Sequence, residues 1–123
     1  ILVVEDAAMV AMMIEDLIVD LGWEVVGPAG RLPEALRLAR EAAVDAALLD
    51  VNLNGEMSWE AADILQDRNI PFVFTTCYDG ATMLPERFAG RPVVRKPFTP
   101  DDIGRALQAV LADNTGLRAN AQH

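Results

Sequence analysis

The six residues Ile-Leu-Val-Val-Glu-Asp, numbers 1–6, form a continuous apolar run that ends in two acids. Directly after this run, apolar residues recur at the i, i+3, i+4 spacing over residues 8–21, and Gly22 follows. The first pattern is typical of a buried strand and the second of an amphipathic helix that ends at a glycine. The stretch therefore predicts one strand–helix unit of an α/β protein with a parallel sheet.

The same alternation continues along the chain. It predicts further strands at 23–26, 46–49, 70–76 and 91–95, with helices over 33–43, from Ser58 to before Asn69, within 79–90 and from Thr99 to about residue 112. Thr99 and Asp102 are placed to form a capping box for the last helix, with Pro100 at its first position. Residues 52–55 are predicted to be a loop. We expect one domain over residues 1–113 and a frayed polar tail over 114–123.

Composition excludes several classes of function. The 123 residues suffice for one domain, and the net charge of −9 repels phosphate backbones and anionic membranes, so we expect neither nucleic acid nor a membrane as a partner. There is no secretion signal and no apolar run that could span a bilayer, and Cys77 has no second cysteine to pair with, which favours a cytoplasmic protein. The one histidine, His123, lies in the polar tail, which argues against a Ser-His-Asp triad or a His-ligated metal.

Polar residues follow the predicted strands at the point where each one ends. Glu5 and Asp6 end the first strand, Asp50 the third, Thr76 the fourth and Lys96 the fifth. Because parallel strands end at the same edge of a sheet, we expect these side chains to converge there. Three neighbouring carboxylates raise one another's pKa unless a cation separates them, and ligands that are all oxygen favour Mg²⁺.

This set of residues fits phosphoryl chemistry. Asp50 is the predicted nucleophile, because a carboxylate can attack a phosphoryl group and form an acyl phosphate. Lys96 and the metal would neutralise charge on the transferred group, and a threonine hydroxyl would donate a hydrogen bond to it. Thr76 is preferred to Thr75 because successive side chains on a strand point to opposite faces and Thr76 is the last before the loop.

Four motifs occur in order on these elements: Val-Val-Glu-Asp at 3–6, Leu-Leu-Asp-Val-Asn-Leu at 48–53, Thr76, and Arg-Lys-Pro-Phe at 95–98. With them the chain resembles the receiver domain of a bacterial two-component response regulator. The resemblance implies a flavodoxin-like (βα)5 fold, a doubly wound sheet of five parallel strands in the order 2-1-3-4-5. It implies Asp50 as phosphoacceptor, Thr76 as switch hydroxyl and Lys96 as phosphate-binding lysine. The implied Mg²⁺ ligands are Glu5, Asp6, Asp50 and the backbone carbonyl of Asn52.

The resemblance also implies a mode of action. Such a single-domain regulator accepts a phosphoryl group from a histidine kinase or a phosphotransfer protein, and signals by protein–protein contact or serves as a phosphate sink. It would catalyse only its own phosphorylation and dephosphorylation and would not be an enzyme acting on other substrates. Any homodimer would use the fourth and fifth helices.

Two positions depart from the commonest receiver pattern. Val93 stands where the family often has Tyr or Phe, and Asn54-Gly55 replaces the usual proline of the loop after the phosphoacceptor. With Phe-Thr-Thr-Cys-Tyr at 74–78, these features resemble a subgroup named for a Phe-Ala-Thr-Gly-Tyr motif, whose members pair with HWE-type histidine kinases. Because Val93 has no ring to rotate, we expect the switch to act through residues 79–90, which few apolar residues hold down.

Three alternatives were weighed against this function. An EF-hand calcium loop starting at Asp50 would need Glu at its twelfth position, which is Ala61. A phosphohydrolase with an aspartate nucleophile would need an acid at position 52, and the amide of Asn52 cannot act as a general acid or base. A receiver-like interaction domain that is never phosphorylated stays open.

Overall fold

The computed structural model describes residues 1–77 and 84–121, with side chains up to residue 112. The strands are β1 (Leu2–Val4), β2 (Val26–Ala29), β3 (Ala47–Asp50), β4 (Asn52–Leu53), β5 (Glu56–Met57), β6 (Phe72–Thr76) and β7 (Val93–Arg95). The α-helices are α1 (Ala8–Asp20), α2 (Leu32–Glu41), α3 (Trp59–Asp67) and α4 (Pro100–Ala121). Within the described residues, no helix combines the length and the hydropathy that a membrane span requires.

The main sheet has five strands in the order β2-β1-β3-β6-β7, and all of its pairs are parallel. Counted within that sheet alone, the order is 2-1-3-4-5, which confirms the predicted doubly wound fold. Alternate residues of the central strands enter two separate cores, one under α2 and α3 and one under α1 and α4. Both faces of the sheet are therefore covered, which explains why β1, β3 and β6 are apolar without alternation.

The second strand begins three residues later than predicted, at Val26 instead of Trp23. The N–H of Trp23 donates to the carbonyl of Ile18, so this part of the chain closes α1 and does not pair with β1. Gly27 has a φ of +98°, and a Cβ there would lie 2.9 Å from the carbonyl oxygen of Val3. Pro28 is tolerated within the strand because β2 is the edge of the sheet.

The predicted loop at 52–55 is instead part of a small antiparallel hairpin, β4–β5. Asn54 and Gly55 connect its strands with φ values of +52° and +96°. This is the combination that a two-residue hairpin turn requires, and Asn-Gly is its most favoured sequence. Ser58 precedes α3 as predicted, but its side chain makes no capping hydrogen bond. Its buried hydroxyl has no hydrogen-bond partner among the described residues.

The predicted fourth helix falls partly on residues 78–83, which lie outside the described residues. Among residues 84–90 there is only a 3-10 turn, Glu86–Phe88, after Pro85. Phe88 is fully buried, with its ring centroid 5.6 Å from that of Phe74 and 5.9 Å from that of Trp59. The expectation that few apolar residues hold this segment is therefore wrong for its second half.

The last helix begins as predicted and ends later. The N–H of Thr99 donates to Asp102 Oδ2 at 2.9 Å, and the N–H of Asp102 donates to Thr99 Oγ1 at 3.2 Å, which confirms the capping box. The backbone of α4 stays helical to Ala121, so the frayed tail predicted from residue 114 is wrong for residues 114–121. A glycine such as Gly116 costs a helix only about 1 kcal/mol relative to alanine, which good helix formers around it can offset. The domain boundary at residue 113 stays a prediction.

Candidate functional site

The site lies at the edge of the sheet where the parallel strands end. Glu5 and Asp6 follow β1, Asp50 ends β3, and Lys96 follows β7. One oxygen from each of the three carboxylates lies within 4.8 Å of the others. Thr76 ends β6 as a buried residue, one position beyond the paired residues Asp50 and Thr75. The structure thus brings together the three carboxylates and, through its ion pairs, Lys96, and it places Thr76 at the end of the neighbouring strand.

Lys96 connects two of these carboxylates. Its Nζ donates to Asp50 Oδ2 at 3.0 Å and to Glu5 Oε2 at 3.3 Å, and it lies 3.0 Å from Glu5 Oε1. Burial by itself lowers the pKa of Lys96, but the hydrogen bonds and charges of Asp50 and Glu5 outweigh it, so the pKa is raised. The lysine therefore stays a cation throughout the physiological range of pH.

The Glu5 carboxyl group has a raised affinity for a proton. Burial raises its pKa, and the hydrogen bond and charge of Asp50 raise it further, to about 7. The N–H of Ala7, which donates to Glu5 Oε2 at 3.1 Å, and the Lys96 ammonium act in the opposite direction. The positive charge of Lys96 therefore does not fully offset the effects of burial and of the neighbouring Asp50 carboxylate on Glu5.

The donor set fits a hard divalent cation. Glu5 Oε1 is buried and accepts no hydrogen bond from the described residues, although it lies at ion-pair distance from Lys96. Asp50 is 4% exposed, whereas Asp6 lies at the solvent-exposed side of the cluster. Two buried carboxylates and one exposed carboxylate leave room for water ligands, which Mg²⁺ usually retains.

Comparison with known proteins identifies the family. The family model of the response regulator receiver domain matches residues 1–108. The chain belongs to the response regulator receiver family. The solution structure of SdrG from Sphingomonas melonis Fr1 is 43% identical, with a TM-score of 0.77, over 89% of this receiver and 93% of that chain. The crystal structure of the response regulator PhyR from Brucella abortus is 32% identical, with a TM-score of 0.81, over 99% of this receiver and 52% of that chain.

Among curated proteins, the phyllosphere-induced regulator PhyR of Methylorubrum extorquens is 29% identical over 126 residues. That match covers 100% of this receiver but 47% of PhyR, so the chain spans about half the length of that relative. The chemotaxis protein CheY of Thermotoga maritima is 28% identical over 89% of this receiver and 95% of CheY.

Sequence reasoning missed the backbone donors that orient the receiver's acids. Besides Ala7, the N–H of Asn52 donates to Asp50 Oδ1 at 3.2 Å, and the N–H of Asn54 donates to Asp6 Oδ2 at 2.8 Å. A backbone N–H carries no residue-specific signal, so residue types could not reveal these contacts. The Asn-Gly pair of the hairpin was the available clue to the third of them.

Val93 of β7 lies beside a cluster of aromatic rings. Val93 is half-buried and lies opposite Phe74 in the sheet. Phe74 and Phe88, with Trp59 on α3, supply the aromatic rings that pack together on this side of the sheet. Among the described residues, the rings packed on this side of the sheet come from β6, α3 and the 3-10 turn.

Proposed function

We propose that this receiver domain accepts a phosphoryl group on Asp50 and later loses it to water. The observation that carries the proposal is the convergence of Asp50 with Lys96 and two further carboxylates, Glu5 and Asp6, at one edge of the sheet. A phosphoryl acceptor needs a nucleophilic oxygen next to fixed positive charge, and Lys96 Nζ lies 3.0 Å from Asp50 Oδ2.

In the transfer step, a carboxylate oxygen of Asp50 forms a bond to phosphorus. The bond between phosphorus and the donor atom breaks, and the donor leaves with its electron pair. The Lys96 ammonium neutralises charge on the phosphoryl oxygens, and the Thr76 hydroxyl donates a hydrogen bond to one of them. The receiver acts on itself, so it is not an enzyme with other substrates.

Glu5, Asp6, Asp50 and the backbone carbonyl of Asn52 would hold Mg²⁺. The ion would stabilise the negative charge of the transferring group when bound. Glu5 Oε1 supports this assignment, because it is buried and, apart from its ion pair with Lys96, accepts no hydrogen bond from the described residues, so it keeps free coordination capacity for a cation.

The phosphoryl donor that we propose is a phosphohistidine on a histidine kinase, of the HWE type for this subgroup, or on a phosphotransfer protein. The output is contact with a cytoplasmic protein partner or service as a phosphate sink. PhyR from Bartonella quintana, 30% identical over 99% of this chain and 50% of its own, is described as an anti-anti-sigma factor. A partner in the control of sigma factors is therefore one class to test. For any homodimer, family analogy supports the surface of the predicted fourth and fifth helices, of which the fifth corresponds to α4.

Incubation with acetyl phosphate and Mg²⁺, followed by intact-mass measurement, tests the proposal. The wild type should gain the mass of one phosphoryl group, and Asp50→Ala should not. Asp45→Ala is the matched control, because it removes an exposed carboxylate just before the same strand and should leave the adduct unchanged. No adduct on the wild type would refute phosphorylation at Asp50 and favour a receiver-like interaction domain. An unchanged adduct on Asp50→Ala would refute Asp50 as the phosphoacceptor and indicate another residue. Continuous release of phosphate from a substrate would instead indicate a phosphohydrolase.

The phosphate sink is tested in cells. With Asp50→Ala in place of the wild type, the kinase's other targets should become more phosphorylated. Unchanged phosphorylation of those targets contradicts the sink and favours output through a partner.

A further inference from the structure

Asp6 differs from the other two acids of the site in how it is held. Glu5 and Asp50 are buried, and each contacts both Lys96 and a backbone N–H. Asp6 is exposed, and within the described residues its side chain accepts a hydrogen bond only from the N–H of Asn54, at 2.8 Å. An exposed carboxylate without such a contact samples several rotamers, and ordering it on binding costs free energy.

The turn between β4 and β5 presents that N–H group. Asn54 and Gly55 have φ values of +52° and +96°, both in the left-handed region. The side chain of Asn52 fixes the turn a second time, because its Oδ1 accepts the N–H of Gly55 at 2.7 Å. The buried side chain of Leu53 anchors the hairpin to the core. The N–H that donates to Asp6 thus belongs to a hairpin that is held by its own contacts and lies 48 residues from Asp6 in the sequence.

We propose that the Asn54–Gly55 turn is a positioning element that holds the Asp6 carboxylate in place and thereby sets the affinity of the site for a divalent cation. The inference rests on the proposed function in so far as Asp6 is a metal ligand. It assigns a role to the residues that replace the usual proline of this loop. Gly55 acts only through the backbone conformation, and Asn54 only through its N–H.

Gly55→Ala tests the turn without a steric clash. A Cβ at Gly55 would meet nothing within 4 Å, so the substitution acts only by disfavouring the positive φ. Gly22→Ala is the matched control, because Gly22 has a φ of +84°, has equally open surroundings and lies at the end of α1, away from the site.

The readout is the dissociation constant of Mg²⁺, measured by isothermal titration calorimetry on the full chain. We expect Gly55→Ala to weaken binding about three- to tenfold, which corresponds to the usual cost of a left-handed non-glycine residue. Gly22→Ala should lower the melting temperature similarly and leave Mg²⁺ binding unchanged. Equal Mg²⁺ affinity in Gly55→Ala and Gly22→Ala would overturn the positioning role.

Hydrogen exchange at the Asn54 amide checks the contact directly. Its protection should fall in Asp6→Asn, because the amide side chain is a weaker acceptor than the carboxylate; unchanged protection overturns the proposal. The phosphoryl adduct on Asp50 is a separate test. An adduct on the wild type together with unaltered Mg²⁺ affinity in Gly55→Ala refutes the positioning role alone. Weakened affinity without any adduct refutes the proposed function alone.

Discussion

Replacing Lys96 with methionine removes the cation that bridges Glu5 and Asp50. The side chain of Lys96 is 18% exposed, and those of Glu5 and Asp50 are 1% and 6% exposed, so water cannot take over its role in full. Removing one partner of a buried ion pair typically costs 3–5 kcal/mol, because the other charge stays buried without compensation. We expect Lys96→Met to lower the free energy of unfolding by about 3 kcal/mol at a pH near 8.

The loss should depend on pH. The folded-state pKa of Glu5, about 7, is above its ordinary value of 4.5, so the folded protein binds this proton more tightly than the unfolded chain does. Its contribution to stability is complete below the ordinary pKa and disappears as the pH rises through about 7. Without Lys96, which lowers this pKa, a proton can replace the lysine at acidic pH. We therefore expect Lys96→Met to cost less at a pH near 5 than at a pH near 8.

Urea denaturation with a chelator present measures both effects. Arg105→Met is the control, because it breaks the exposed contact with Asp102, in which the Arg105 side chain is 72% exposed, and should change stability little at either pH. A loss of stability for Lys96→Met that is equal at the two pH values, or greater at acidic pH, would refute the reasoning about the shared proton. A loss no larger than that of the control would refute the buried bridge itself.

Two further predictions concern the fold. Phe88→Ala should lower the free energy of unfolding by about 3–5 kcal/mol in urea denaturation, because the side chain is fully buried among aromatic rings. A loss under about 1 kcal/mol would contradict the packing of the 3-10 turn. Thr99→Ala should cost about 1 kcal/mol through loss of the helix cap. It should also raise the pKa of Asp102 in part, because the hydroxyl contact is lost whereas the Thr99 N–H, which lowers this pKa most, is retained. NMR titration measures the pKa, and an Asp102 pKa that is not lowered in the wild type would contradict the capping box.

Much of the fold was predictable because both faces of the central strands are buried. Runs such as residues 46–49 and 70–76 have no periodicity that a surface strand would show, and acids or threonines mark their ends. The edge strand was harder to place, since Gly27 adopts a positive φ that no local pattern indicates. The hairpin strands have only two residues each, too few to show alternation, so only Asn54-Gly55 marked their turn.

The sequence predicted which residues form the site but not the contacts that hold their side chains in place. The rule that parallel strands end at one edge sufficed to bring Asp50 and Lys96 together. It could not indicate that Lys96 contacts two carboxylates, or that a hairpin N–H orients Asp6, because those contacts depend on tertiary placement. Phe88 shows the same limit, since a single aromatic residue between Arg87 and Ala89 carries no signal of complete burial.

Reductive trapping followed by peptide mapping tests the central claim most directly. After phosphorylation with acetyl phosphate and Mg²⁺, borohydride converts an aspartyl phosphate to homoserine, which marks the modified residue in the mass spectrum of its peptide. The account predicts homoserine at position 50 and nowhere else, with none formed when Mg²⁺ is chelated. Homoserine at Asp6 or at another aspartate, or no homoserine while the wild type binds Mg²⁺, would contradict the assignment of Asp50 as the phosphoacceptor.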